Sequence, residues 1–157
     1  MAAASGTAPI GNVDPAARPS LTFKRRINAP PETVFAAWTD PKKIVRWFGR
    51  PDALPETIEA EIDARVGGRF RFRFSTDSEY YEVGGVYREV VPDRRLVFSW
   101  AWHSTPERES QVTVALQPDG DGTLLTLHHE QLFDFAARDG HARGWTVGLE
   151  RMEKMLA

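Results

Sequence analysis

The chain has 157 residues, 41% hydrophobic and 11% aromatic, enough to bury one substantial core. Lys and Arg number 20 against 22 Asp and Glu, a formal net charge of −2, so there is no basic field of the kind that attracts phosphate backbones or anionic membranes, and no nucleic-acid partner is expected. It has no cysteine, which excludes disulfides and thiolate metal sites and suits a reducing cytoplasm, the expected location.

Residues 1–19 carry Pro9, Pro15 and Pro19 among Ala and Gly, with too few large apolar groups to offset ordering entropy. They read as a flexible tail before a single domain over 20–157. The first residues lack the basic and apolar regions of a secretory signal, and no window is long and apolar enough for a membrane span, so an unexported protein is expected.

From Ser20, Leu21, Phe23 and Arg25 alternate with Thr22 and Lys24, predicting a strand that ends near Ile27. Asn28 then opens a helical stretch in which Pro30, Pro31 and Glu32 suit a first turn and Val34, Phe35 and Trp38 recur at helical spacing. Thr39-Asp40-Pro41 stops it, and a second short helix is predicted over Lys42 to Phe48, ended by Gly49 and Pro51. Strands follow in succession. Ile58, Ala60 and Ile62 share one face, with Glu59, Glu61 and Asp63 on the other. Gly67-Gly68 supplies a hairpin turn. Arg69, Arg71 and Arg73 then alternate with Phe70, Phe72 and Phe74, placing the phenylalanines inward and the arginines beside the acids of the preceding strand.

Further strands are predicted at Tyr80 to Val91, Leu96 to His103, Gln111 to Gln117 and Thr123 to Gln131, joined by short turns such as Pro118-Asp119-Gly120-Asp121-Gly122. An antiparallel meander follows. Gly84-Gly85 is expected to mark a bulge or bend. Either parity of its strand leaves apolar residues on both faces, so which face points inward stays open there. From Phe135 onward, Trp145, Leu149, Met152 and Leu156 form a helical apolar stripe. Beside it lie Gly140, Gly144 and Gly148, read either as close packing on the sheet or as room for a bound molecule.

The order of strand, two short helices, six strands and long helix resembles the helix-grip architecture of START-like (SRPBCC, Bet v 1-type) domains. That is an α+β fold with a curved antiparallel sheet of six to seven strands wrapped around a long C-terminal helix. Local motifs narrow the resemblance to the family of the activator of Hsp90 ATPase homologue. They are Ala29-Pro30-Pro31-Glu32-Thr33-Val34-Phe35 with Trp38, Asp40-Pro41 through Trp47-Phe48-Gly49, and the Asp63 to Phe70 run DARVGGRF. Val90-Val91-Pro92-Asp93-Arg94-Arg95-Leu96-Val97-Phe98 leading to Trp100, Gly122-Thr123 to His129, and Gly144-Trp145 to Leu149 complete the set. The resemblance implies a cavity between the sheet and the C-terminal helix that takes a hydrophobic or aromatic small molecule. The eukaryotic namesake acts on a chaperone and carries an additional N-terminal region that the tail here does not supply, so a chaperone partner ranks below ligand binding.

Alternation and the resemblance together place Phe70, Phe72, Phe74, Phe98, Trp100, Trp102, Val112, Val114, Leu116, Leu125, Leu127 and His129 on the concave face. Trp47, Phe48, Trp145, Leu149 and Met152 close it from the helices. The expected cavity lining is drawn from these sets: Trp47, Phe48, Phe70, Phe72, Phe74, Phe98, Trp100, Trp102, Val114, Leu127, His129, Trp145, Leu149 and Met152, with Tyr87 added. His129, inward at the end of an apolar strand, must find a hydrogen-bond partner or face a ligand. No GxSxG, GxxxxGK[ST] or dinucleotide motif is present, and nothing compels a catalytic reading. A cyclase- or hydrolase-type enzyme would draw on His129, Tyr81, Tyr87 and Glu82. His103, His128, His129 and His141 show no metal-binding spacing, so no metal and no cofactor is expected; a homodimer is left open.

Overall fold

The computed structural model describes residues 18–157; the expected N-terminal tail falls almost wholly outside them. Seven strands form one antiparallel sheet in the order β1-β7-β6-β5-β4-β3-β2. Strand β1 (Leu21–Ile27) leads into helices α1 (Pro31–Thr39) and α2 (Pro41–Ile44) and a 3₁₀ turn at Pro55–Thr57. Then come β2 (Glu59–Ile62), β3 (Arg69–Ser75), β4 (Tyr80–Val91), β5 (Arg95–Trp102), β6 (Ser110–Asp119), β7 (Gly122–Glu130) and helix α3 (Phe135–Leu156). The six strands β2 to β7 are a plain meander, and β1 returns to pair with β7, Leu21 opposite His129 and Ile27 opposite Thr123.

The α+β helix-grip expectation is met, and most boundaries fall within a residue or two of the sequence reading. Two local readings are corrected. Helix α1 starts at Pro31 rather than at Asn28, whose side chain instead accepts a 2.6 Å hydrogen bond from Arg26. Helix α2 is a single turn capped by the Asp40 carboxylate on the Lys42 N–H. Beyond Ile44 the chain turns so that Trp47 and Phe48 both enter the core, and the Trp47 indole donates to the carbonyl of Ala37 at 2.9 Å. Gly49 at φ +130° then reverses the chain, a conformation that side chains rarely adopt.

The charged outer ladder of β2 and β3 pairs as the alternation demands. Glu61 faces Arg71 and Glu59 faces Arg73 in register, with ion pairs at 2.7 and 2.9 Å. They are exposed, so each contributes roughly 0.2–1 kcal/mol at most. On the opposite face Phe70, Phe72 and Phe74 are buried, and burial of each phenyl ring stabilises the fold by roughly 1.5–3 kcal/mol.

The expected irregularity of β4 exists, but not at the glycine pair. Gly84 and Gly85 stay in register with β3, and the register shift against β5 falls between Tyr87 and Glu89. Val83, Gly85 and Tyr87 therefore point inward, and after the shift Val90 also packs against the core. Gly85 serves a different need. A Cβ there would lie 1.9 Å from the Ser99 carbonyl oxygen and 2.9 Å from the Phe70 ring, so β5 and the ring occupy its side-chain space. The Val86 N–H is taken at 2.9 Å by the Ser99 hydroxyl.

Helix α3 begins at Asp134, whose carboxylate accepts from the Ala137 N–H at 2.8 Å, and buries Trp145, Gly148, Leu149 and Met152. The two readings of its glycines divide by position. At Gly148 a Cβ would touch the Trp47 ring at 3.5 Å, which is close packing; at Gly144 it would meet nothing within 4 Å, which is open space. Replacing Gly144 with alanine should accordingly raise stability by about 0.5–1 kcal/mol, read as a higher urea midpoint with an unchanged slope. A lower midpoint would mean that the space is needed by the fold.

Candidate functional site

Three tryptophans and two histidines meet where α3 crosses the concave face, and their hydrogen bonds fix the ring orientations. Trp145 donates to Nδ1 of His129 at 3.1 Å, which leaves the proton on Nε2 to be donated to the Ser110 hydroxyl at 2.8 Å. Ser110 passes its own proton to the Trp100 carbonyl at 3.2 Å. His129 is fully buried and fully partnered, and burial, then neighbouring His141 and His128, holds its pKa well below the ordinary value. It orients the core and carries no free nitrogen toward a ligand.

His141, one helical turn before Trp145, takes the opposite tautomer. Its Nδ1 donates to the Ala137 carbonyl at 2.7 Å, so Nε2 is the acceptor for the indole of Trp102 at 2.9 Å and of Trp100 at 3.3 Å. Burial lowers its pKa, partly offset by the Ala137 hydrogen bond. The two imidazole rings lie 4.9 Å apart, both neutral.

Beside this cluster is a cavity of about 490 Å³. Helix α3 contributes Ala137, Gly140, His141, Arg143, Gly144, Trp145 and Gly148. The turn after α2 contributes Trp47, Phe48, Gly49, Arg50, Pro51 and Asp52. Phe74, Tyr81, Trp100 and Trp102 come from the sheet, and Ser104 and Thr105 from the loop after β5. The inner wall is indole and phenyl, with Trp100 and Trp145 centred 5.3 Å apart and Phe48 and Trp100 5.9 Å apart. Of the polar lining groups, Arg50, Asp52, Ser104 and Thr105 sit on the loops, and His141 and Arg143 on α3. Arg50 grips Asp52 through Nε and Nη2 at 3.0 and 3.2 Å and donates from Nη1 to the Tyr81 hydroxyl at 2.9 Å.

Of the residues expected to line a cavity, Trp47, Phe48, Phe74, Trp100, Trp102 and Trp145 are on its wall. Phe70, Phe72, Tyr87, Phe98, Val114, Leu127, His129, Leu149 and Met152 are instead buried in the core beside it, where neighbouring side chains fill the space. Burial pushes the Tyr87 phenol pKa up, so it stays protonated. Glu82 lies on the outer face, accepting from Tyr80 at 2.9 Å and 3.9 Å from Arg71. Sequence reasoning missed the two loops, which have no periodicity to read, and His141. A signal for His141 was present: extending the α3 stripe back by four from Trp145 lands on it. Among the described residues no three His, Asp or Glu side chains converge as a metal site would require. Among them, too, no helix is long and apolar enough to cross a membrane.

A curved antiparallel sheet closed by one long C-terminal helix, with a cavity between them, defines the helix-grip class. Residues 28–157 match the family model described as Activator of Hsp90 ATPase homolog 1-like protein, and the chain belongs to that family. Among solved structures it is similar to protein CV1439 from Chromobacterium violaceum, with 25% identity and a TM-score of 0.79 over 87% of this chain and 96% of that one. CalU16 from Micromonospora echinospora shares 30% identity at a TM-score of 0.66, covering 88% and 76% of the two chains. DynU16, encoded in the dynemicin biosynthetic locus, shares 22% identity at a TM-score of 0.70; the likeness spans 87% of this chain and 46% of that one and speaks to fold alone. A comparison with curated proteins gives no match.

Proposed function

We propose that this protein is a cytoplasmic binding module that holds an aromatic or otherwise apolar small molecule between α3 and the sheet. The observation that carries this reading is the cavity of about 490 Å³ walled by Trp47, Phe48, Trp100, Trp102 and Trp145. Its size lies within the range of about 300–1,000 Å³ usual for small-molecule sites, and apolar walls with a few polar groups are what such sites share. Sequestration is favoured over catalysis because the histidines that could serve as acid or base are committed. Both nitrogens of His129 and of His141 are engaged with protein groups, and both rings are held neutral.

The test is calorimetric titration with a neutral aromatic probe, methyl 2-naphthoate, alongside native mass spectrometry of the purified protein for a co-purifying mass. Saturable binding is expected in the natural sequence and its loss in Gly144→Leu, whose side chain would enter the open space beside Trp145. Circular dichroism and the thermal midpoint would show that the variant is folded. Binding that persists undiminished in a folded Gly144→Leu protein would place the ligand elsewhere and overturn the reading.

A further inference from the structure

We infer that the cavity is selective for aromatic molecules that carry one carboxylate at their outer end, with Arg143 as the cation that recognises it; this rests on the binding reading above. The inner wall offers a ligand no unspent donor. Trp47 gives its indole N–H to Ala37, Trp145 to His129, and Trp100 and Trp102 to His141, at 2.9 to 3.3 Å. The remaining His141 N–H goes to Ala137. Trp38, whose indole nitrogen is buried without a partner, does not line the cavity. A polar group pushed against that wall would be desolvated with nothing to replace its water, so the buried part of the ligand is apolar.

Charge is confined to the rim. The lining holds two guanidiniums, Arg50 and Arg143, and a single carboxylate, Asp52. Asp52 is spent on Arg50 in a two-bonded pair, and Arg50 is further bound to the Tyr81 hydroxyl. Arg143 makes no ion pair among the described residues. The rim therefore carries one positive charge in excess, on a planar fork suited to a carboxylate, at the edge of a cavity whose wall is built of indole rings. A cationic ligand would face the reverse arrangement, since the only acid is already neutralised.

The experiment is titration calorimetry with 2-naphthoate, methyl 2-naphthoate and 2-naphthylmethylammonium on the full chain, at low and high salt. The acid should bind about tenfold tighter than the ester at low salt and the ammonium should bind more weakly than either. With R143E the acid should lose that advantage, and Arg143 is exposed, so the variant should keep its fold. Equal affinity for acid and ester, or an acid preference that survives R143E, overturns this inference and leaves the binding reading standing. If none of the three binds, the binding reading falls and this inference with it.

Discussion

Gly85→Ala is expected to lower stability by about 3 kcal/mol or more, at the upper end of what overpacking costs. The new methyl would lie 1.9 Å from the Ser99 carbonyl oxygen and 2.6 Å from its carbon, both backbone atoms of the neighbouring strand, so no side-chain rotation relieves the clash. Strand β5 would have to move away from β4, and β5 carries Trp100 and Trp102. The damage should reach the cavity as well. Urea denaturation would show it as a large drop in midpoint, and a probe such as methyl 2-naphthoate should bind more weakly. The sister change Gly144→Ala, also one added methyl, is expected to act in the opposite direction. A Gly85→Ala protein within about 1 kcal/mol of the natural one would show that β4 and β5 can separate at little cost, contrary to their packing.

The second large effect centres on His129. Removing the ring in His129→Ala opens a void in a fully buried position and leaves the Trp145 N–H with no acceptor, an expected loss of about 3–5 kcal/mol. The same ring makes stability depend on pH. Burial and the nearby histidines hold the folded His129 pKa well below 6.5, and burial lowers that of His141 too, whereas the unfolded chain binds both protons near 6.5. As pH falls below 6.5 the unfolded state takes up protons that the native state refuses, so stability is full above that value and declines beneath it, toward the folded pKa values. Asp52 and Glu61, whose pKa values are lowered chiefly by hydrogen bonds from Arg50 and Arg71, lose their contribution only below about 4.5, which keeps the two windows apart. Thermal midpoints between pH 8 and 5 should fall beneath 6.5 in the natural protein and more shallowly in His129→Ala. A flat profile across that interval would mean that the histidines take up protons in the fold as readily as in the unfolded chain, against the tautomers that their hydrogen bonds impose.

The strand and helix order, the inward phenylalanines of β3, the acid and arginine ladder outside them and the apolar stripe of α3 were all legible in the residue pattern. These are short-range patterns: period two on a pleated strand and period 3.6 on a helix state which side of each element meets water. Of the aromatics on the cavity wall, Phe74, Trp100, Trp102 and Trp145 were legible from the same alternation and stripe together with the family resemblance, whereas Trp47 and Phe48 lie beyond the single turn of α2, past the helical spacing predicted for them.

What periodicity could not say is which inward residues touch one another and which border empty space. Phe70 and Leu127 obey the same alternation as Phe74 yet lie in filled core, because that outcome depends on how far α3 stands from each part of the sheet. The partners of His141 are 39 and 41 residues away in the chain, and the pairing of Arg50 with Tyr81 spans 31. Even the bulge of β4 moved from the glycines to the Tyr87–Glu89 step, since Gly85 was needed for the approach of Ser99 and Phe70 rather than for a kink. Contacts between distant segments arise only when the sheet curves around its helix, so which residues border the expected cavity, the charge at its rim and the partners of its two histidines were set by the tertiary structure.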